Sequence, residues 1–278
     1  MSKLHISTIA ALLLSLAAPF SAHAAGGTLK VCADPDYLPY SNRAGQGFEN
    51  AVAETVAKAM GQKLEYVWAD MRGHGGFPEY LSRNLDSGKC DVVMNMPYGN
   101  DEELTTDPYY VSSYVFVFKK DKGYTIEDMN SADLRKLKLG FEGDTPVEAG
   151  LQIRGLVTKA KSFDVSESSG RSPRSMLEAV QNGQIDVMIT WQPAIGAFLH
   201  DYPELTTVAL PNTRATGSPE MYSFPMSMAV RKGDDTLRNK LNAVIKQQQS
   251  ALTGVLHEHG VQLFGEGASP SSSQMANL

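Results

Sequence analysis

The chain has 278 residues, 25 of them Lys or Arg and 31 Asp or Glu, for a formal net charge of −6. An acidic protein without a basic stripe is a poor partner for nucleic acid or for anionic membrane surfaces. The length supports a full hydrophobic core without covalent staples, so the two cysteines, Cys32 and Cys90, do not mark a disulfide-dense mini-domain.

Lys3 precedes an apolar run over 6–20 that ends in Ala22-His23-Ala24, a small-x-small cleavage site. This is the pattern of a secretory signal peptide over 1–24. The run is short for a bilayer span, which needs about 20 apolar residues, and no later segment is longer or more apolar. The first cysteine beyond it, Cys32, lies inside a strand pattern rather than at a lipid-attachment site. A mature chain of about 254 residues (278 − 24) is therefore expected, soluble in the periplasm, with a balance of 24 − 31 = −7 once Lys3 is removed.

Short β-rich runs then alternate with helix-period segments, as in parallel α/β sheets. A first strand is predicted over 29–33, followed by a turn-rich loop over 34–47. A helix follows with Phe48, Val52, Val56 and Ala59 on one face and Gly61 as its C-cap. The next predicted elements are a strand over 64–68, a loop over 73–78, a short helix over 80–87 with Leu81 and Leu85 inward, and a strand over 91–95. Asp107-Pro108-Tyr109-Tyr110 leads to an aromatic and β-branched run over 114–118 that leaves this lobe. A second α/β unit begins with a strand over 137–141, helices over 146–156 and 173–182, and a strand over 185–190 ending at Trp191. A second extended crossing over 226–230 precedes a long helix over 235–259, and the Ser/Gly/Pro-rich tail from 265 is expected to be disordered.

Two α/β units joined by two extended crossings predict a two-lobed fold with one lobe inserted in the other. The expected boundaries are 25–118 and 214–264 for lobe 1, 119–213 for lobe 2 and 265–278 for the tail. Loops at the carboxyl ends of parallel strands face the cleft between such lobes. That rule nominates Asp36, Tyr37 and Tyr40 after the first strand, Arg72 and His74 after the second, Met96, Pro97 and Tyr98 after the third, and Trp191 and Gln192 across the cleft. A lining so rich in Met, Tyr and Trp suits an apolar or aromatic group, or a partner's side chain, better than a small ion.

Thr145, Pro146 and Glu148 read as the N-cap, N1 and N3 positions of a helix start with a capping box. An anion site on the same helix end is the alternative, but Glu148 already places negative charge there. His257-Glu258-His259 reads as a solvated helix end, because positions i and i+2 point to different faces. Residues 100–103 read as a solvated turn rather than an oxygen cage for a hard cation. No metal site or cofactor is expected. No nucleophile elbow, P-loop, dinucleotide fingerprint or HExxH motif is present, and the expectation is a binding protein rather than an enzyme. In an oxidising compartment an even cysteine count favours one disulfide over two buried thiols; the loop of about 59 residues would contribute on the order of 4 kcal/mol.

Leu29-Lys30-Val31, Gly47-Phe48-Glu49-Asn50, residues 88–93, Asp107-Pro108-Tyr109-Tyr110 and residues 228–234 resemble the family-3 extracellular solute-binding proteins, which serve polar amino acid ABC transporters. The resemblance covers about residues 28 to 264. Within that family the sharper likeness is to the MoxJ and XoxJ group, associated with quinoprotein methanol dehydrogenases. It rests on residues 31–35, 47–50, 90–93 and 110–116. Both cysteines fall in these stretches, which adds to the disulfide reading. Amino-acid receptors of the family place an Arg after the third strand's loop to grip the ligand carboxylate, where this chain reads Asn100-Asp101-Glu102-Glu103. They also place an Asp for the ligand ammonium at the position that matches Trp191. Without both anchors a free amino acid would be buried with unpaired charges. The resemblance thus implies an accessory factor of a lanthanide- or calcium-dependent quinoprotein methanol dehydrogenase, acting in its maturation or activation, with the cleft as docking site and the enzyme's cytochrome c as a further partner. The alternative is a receptor that delivers a small non-amino-acid ligand to an ABC permease.

Overall fold

In the computed structural model, which describes residues 26–71, 75–165, 171–214 and 217–264, one long strand carries the chain from one hydrophobic core to another. The expected signal peptide and tail, and Arg72 and His74, lie outside the described residues.

The first lobe opens with β1 (Gly26–Ala33), a two-residue ribbon of β2 (Asp36–Tyr37) and β3 (Ser41–Asn42), α1 (Phe48–Ala59) and β4 (Gln62–Trp68). It continues through α2 (Gly76–Leu81), which runs into a wide π turn over Ser82–Asp86, then β5 (Val92–Pro97) and the short β6 (Leu104–Thr105). β7 (Tyr110–Lys119) leads into β8 (Leu139–Glu142), α3 (Pro146–Ile153), β9 (Lys161–Phe163), α4 (Arg174–Gln181), β10 (Val187–Trp191), α5 (Gln192–Ile195) and β11 (Leu205–Ala209). β12 (Ser223–Val230) brings the chain back, and α6 (Asp235–Glu258), interrupted at Gln248, closes the first lobe.

The sheet order is β4-β1-β5-β12-β7-β10-β8-β9, with β11 on β7 and β6 on β12. β1 runs parallel to β4 and β5, and β8 parallel to β10 and β9, so each lobe has a parallel half-sheet. The halves join through antiparallel β7 and β12, whose residues 110–113 and 223–226 pair. The remainder of β7 pairs with β10. The first crossing therefore starts at Tyr110, four residues before the apolar run predicted from sequence. Ser112 and Ser113 hide the strand from a hydropathy reading, yet both are buried, with the Ser113 hydroxyl donating to Leu210 O at 3.0 Å.

Alternation along β7 sends Phe116 and Phe118 into one core of the second lobe, with Val147 and Leu151 of α3, and Val115 and Val117 into the other, with Met176 and Leu177 of α4. A strand buried on both faces needs such a near-continuous apolar run. In the first lobe, α1 and α6 cover one face of the sheet. Phe48, Val52 and Val56 of α1 are fully buried there, each contributing about 1.5–3 kcal/mol by removal from water. Ala59, expected on that face, is exposed; Ala53 and Ala57 take the inward positions. The opposite face holds the disulfide Cys32–Cys90, with Cα atoms 5.5 Å apart, packed against Leu85 and Met96.

α3 begins at Thr145 and Pro146 as predicted, but without a capping box. The Thr145 hydroxyl donates to Glu142 O at 2.7 Å, and the Glu148 carboxylate accepts from Asp144 N at 2.9 Å. At the turn over 100–103, Asn100 Oδ1 accepts from the backbone N of Glu102 and Glu103. Glu103 itself is buried, contrary to a fully solvated turn.

Candidate functional site

Beyond β1 the chain is tied down by one buried carboxylate. Asp34 accepts from the backbone N of Asp36 and of Met71, both at 2.8 Å, so the loops after the first and second strands share an anchor. The loop then returns to α1 at Gly47, where a Cβ would lie 2.0 Å from Tyr40 O; only glycine permits this approach. Asn50 Oδ1 accepts from Gly47 N at 3.1 Å and Asn42 N at 3.0 Å, fixing the helix start. The result is a stacked pair, Tyr37 on Tyr40, with ring centroids 4.6 Å apart, beside Glu49 in the first turn of α1.

These residues border a pocket of about 190 Å³, lined also by Cys32, Met71, Phe77, Tyr80, Asn95, Pro97 and Met226. Phe77 stacks on Tyr80 at 5.9 Å. Tyr110 donates its hydroxyl to Asn95 Oδ1 at 2.8 Å. The Tyr80 hydroxyl is buried without a hydrogen-bond partner. Burial pushes its pKa well up, and the carboxylates of Glu49 and Asp34 raise it further, so it stays a neutral donor. The pocket is thus aromatic with an acidic flank, suited to a group that offers an acceptor to Tyr80 and apolar surface to the rings.

Of the residues nominated from sequence, the structure gathers Tyr37, Tyr40 and Pro97 at this pocket. Asp36 is exposed beside it, and Tyr98 is 45 % exposed. Met96 is fully buried in the core around the disulfide, where β5 and β12 shift register between Ser227 and Ala229, while Asn95 and Pro97 border the pocket. Thr145 sits at the start of α3, half-buried.

Trp191 is half-buried at the end of β10, where it packs against both the first-lobe core and one core of the second. Its ring lies 5.3 Å from Tyr114 and 6.1 Å from Phe224, making an aromatic cluster on the two joining strands. Burial raises the pKa of Tyr114, and the Glu142 charge adds to the effect. Gln192 corrects its expected place across the cleft. It is only 1 % exposed, and both polar atoms of its amide are hydrogen-bonded to the backbone of Gly260 and Gln262. Glu49, Phe77 and Tyr80 were not nominated from sequence. Glu49 and Tyr80 lie on helices, outside the strand-end rule, and Phe77 lies in the segment read as a loop.

Two α/β lobes joined by two antiparallel strands, with an aromatic pocket at the carboxyl ends of the first-lobe strands, define a two-lobed binding protein of the type II class. Residues 29–253 match the bacterial extracellular solute-binding proteins, family 3, and the chain belongs to that family. It is 32 % identical over 255 residues to the protein MoxJ of Methylorubrum extorquens, covering 86 % of this chain and 82 % of that one. Among solved structures it is similar to MxaJ from Methlophaga aminisulfidivorans MPT, with a TM-score of 0.73, 26 % identity and coverage of 85 % of this chain and 100 % of the other. It is likewise similar to the periplasmic binding protein XoxJ of Methylobacterium extorquens AM1, with a TM-score of 0.68, 26 % identity and coverage of 86 % and 100 %. Among the described residues no helix is long and apolar enough to cross a membrane, and no cluster of three or more His, Cys, Asp or Glu is placed to hold a metal ion.

Proposed function

We propose that the chain is a periplasmic, non-catalytic accessory factor of a lanthanide- or calcium-dependent quinoprotein methanol dehydrogenase, acting in its maturation or activation. The cleft between the two lobes, lobe 1 over 25–118 and 214–264 and lobe 2 over 119–213, would receive part of the enzyme. The observation that carries this reading is Trp191. Where the amino-acid receptors resembled by this sequence hold an ammonium anchor, this chain has an indole packed between Tyr114 and Phe224. Aromatic side chains at a partly exposed junction are the residue types that dominate protein–protein anchoring. The similarity to MoxJ, MxaJ and XoxJ supports the choice of partner. Size-exclusion chromatography with light scattering on the mixed proteins tests it: a complex lost on Trp191→Ala, in a variant that still folds, is the expected outcome. Two separate peaks at every concentration would sink it.

A second reading is favoured by the pocket itself. The unpartnered Tyr80 hydroxyl beside Glu49 is a costly feature for an empty crevice, since an unsatisfied buried polar group costs about 1–3 kcal/mol. A small aromatic or apolar solute carrying one acceptor would satisfy it, delivered to an ABC permease. Thermal shift against a metabolite panel separates the readings, because a ligand of the folded state raises Tm with concentration.

A further inference from the structure

Six residues beyond α6 turn back across the junction, and Gln192 holds them from the other lobe. Its side-chain amide donates to Gly260 O at 2.9 Å and accepts from Gln262 N at 2.8 Å. The backbones of Gly196, just after α5, and Gly260 abut: a Cβ on Gly196 would lie 2.2 Å from Gly260 O, and one on Gly260 would lie 2.4 Å from Gly196 O. Gly260 also needs a φ of +76°, which favours glycine. Between these contacts Val261 is buried in the first-lobe core. The segment is pinned to the joining strand as well, since Ser112 donates to Gln262 O at 2.9 Å and Phe264 N donates to Val111 O at 2.8 Å.

The helix that the segment grips is itself shared. Ala194 packs in the first-lobe core, whereas the next residue, Ile195, packs in a core of the second lobe. We propose that segment 259–264 is a latch, a third connection that fixes the angle between the lobes. Two antiparallel strands alone form a soft hinge, because a few terminal residues can absorb a rotation. Any rotation that moves α5 away from the segment would strand the buried Gln192 amide and open the glycine–glycine contact, both unfavourable. The latch holds whichever ligand or partner the cleft receives.

The test is a pair of spin labels on Lys63→Cys and Lys159→Cys, exposed positions on the two lobes, in the full mature chain with the native disulfide intact. Pulsed dipolar spectroscopy then reads the interlobe distance distribution. With Gln192→Met, which keeps the side-chain length and removes both hydrogen bonds, the distribution is expected to broaden and extend to longer distances. An unchanged distribution in a variant with native near-ultraviolet circular dichroism would overturn the latch. Should Gln192→Met not fold, Phe264→Pro decides by the same criterion. That change removes one backbone donor at a side chain that is 45 % exposed and outside the buried cores.

Discussion

Trp191 is the cross-strand partner of Tyr114 in the β10–β7 ladder, and their rings meet at 5.3 Å on the strand that joins the two lobes. A cross-strand aromatic pair stabilises its ladder by about 0.2–1 kcal/mol beyond burial. Here the indole also reaches the first-lobe core. Trp191→Ala should therefore lower stability by about 2 kcal/mol, less than the ~3–5 kcal/mol of a fully buried Trp, because the ring is half-exposed. Trp191→Phe should recover most of this. Urea denaturation of both variants checks the ranking.

Glu103 predicts a pH dependence. Burial, then the neighbouring Asp86 charge, raises its pKa from 4.5 to about 7. Between these values the folded chain binds more protons than the unfolded chain, so stability falls as pH rises through the window. The penalty is absent below the unfolded pKa and complete above the folded one. Glu103→Gln should flatten the decline in Tm from pH 4.5 to about 7. A wild-type Tm that rises across the same interval would contradict the assignment.

Reducing the Cys32–Cys90 bond, or replacing both cysteines by Ser, releases a loop with a sequence separation of 58. The expected loss is on the order of 4 kcal/mol by the chain-entropy model. Comparing oxidised and reduced protein in guanidinium measures it, and a midpoint insensitive to reductant would argue against a stabilising bond.

Gly47→Ala tests the turn that builds the pocket. The new methyl would meet Tyr40 O, so the loop and the start of α1 must separate. Overpacking of this kind costs typically 1–3 kcal/mol, roughly the expected loss in stability. Hydrogen exchange of the α1 amides should quicken more than that of α4.

Tyr80→Phe removes a buried hydroxyl that has no partner. The free protein should keep its stability or gain up to about 1 kcal/mol. If the pocket receives a small solute, the same change abolishes that solute's thermal shift.

Much of the fold was legible because its strands are apolar runs bounded by turn residues and its helices keep a clear period. The left-handed Gly61, with φ of +64° one residue past the α1 C-cap Met60, and the helix start at Pro146 follow from local backbone preferences. The misses have physical causes. β11 was not predicted because Leu205–Ala209 pairs on one side only and carries Thr206 and Thr207. α5 is a single turn with Pro193 near its start. At the site, the strand-end rule nominates Tyr37, Tyr40 and Pro97, which border the pocket, but also Met96, which lies fully buried at the β5 register shift, and Gln192, which is taken by a segment about 70 residues later.

The most direct measurement follows dye-linked methanol oxidation by purified quinoprotein methanol dehydrogenase, assembled with metal and cofactor, in the presence and absence of the mature chain. The accessory role predicts a larger fraction of active enzyme when the chain is present, and a loss of that gain with Trp191→Ala. An active fraction identical with and without the chain, under conditions where light scattering also finds no complex, would contradict the role and leave the pocket beside Tyr80 to a small solute.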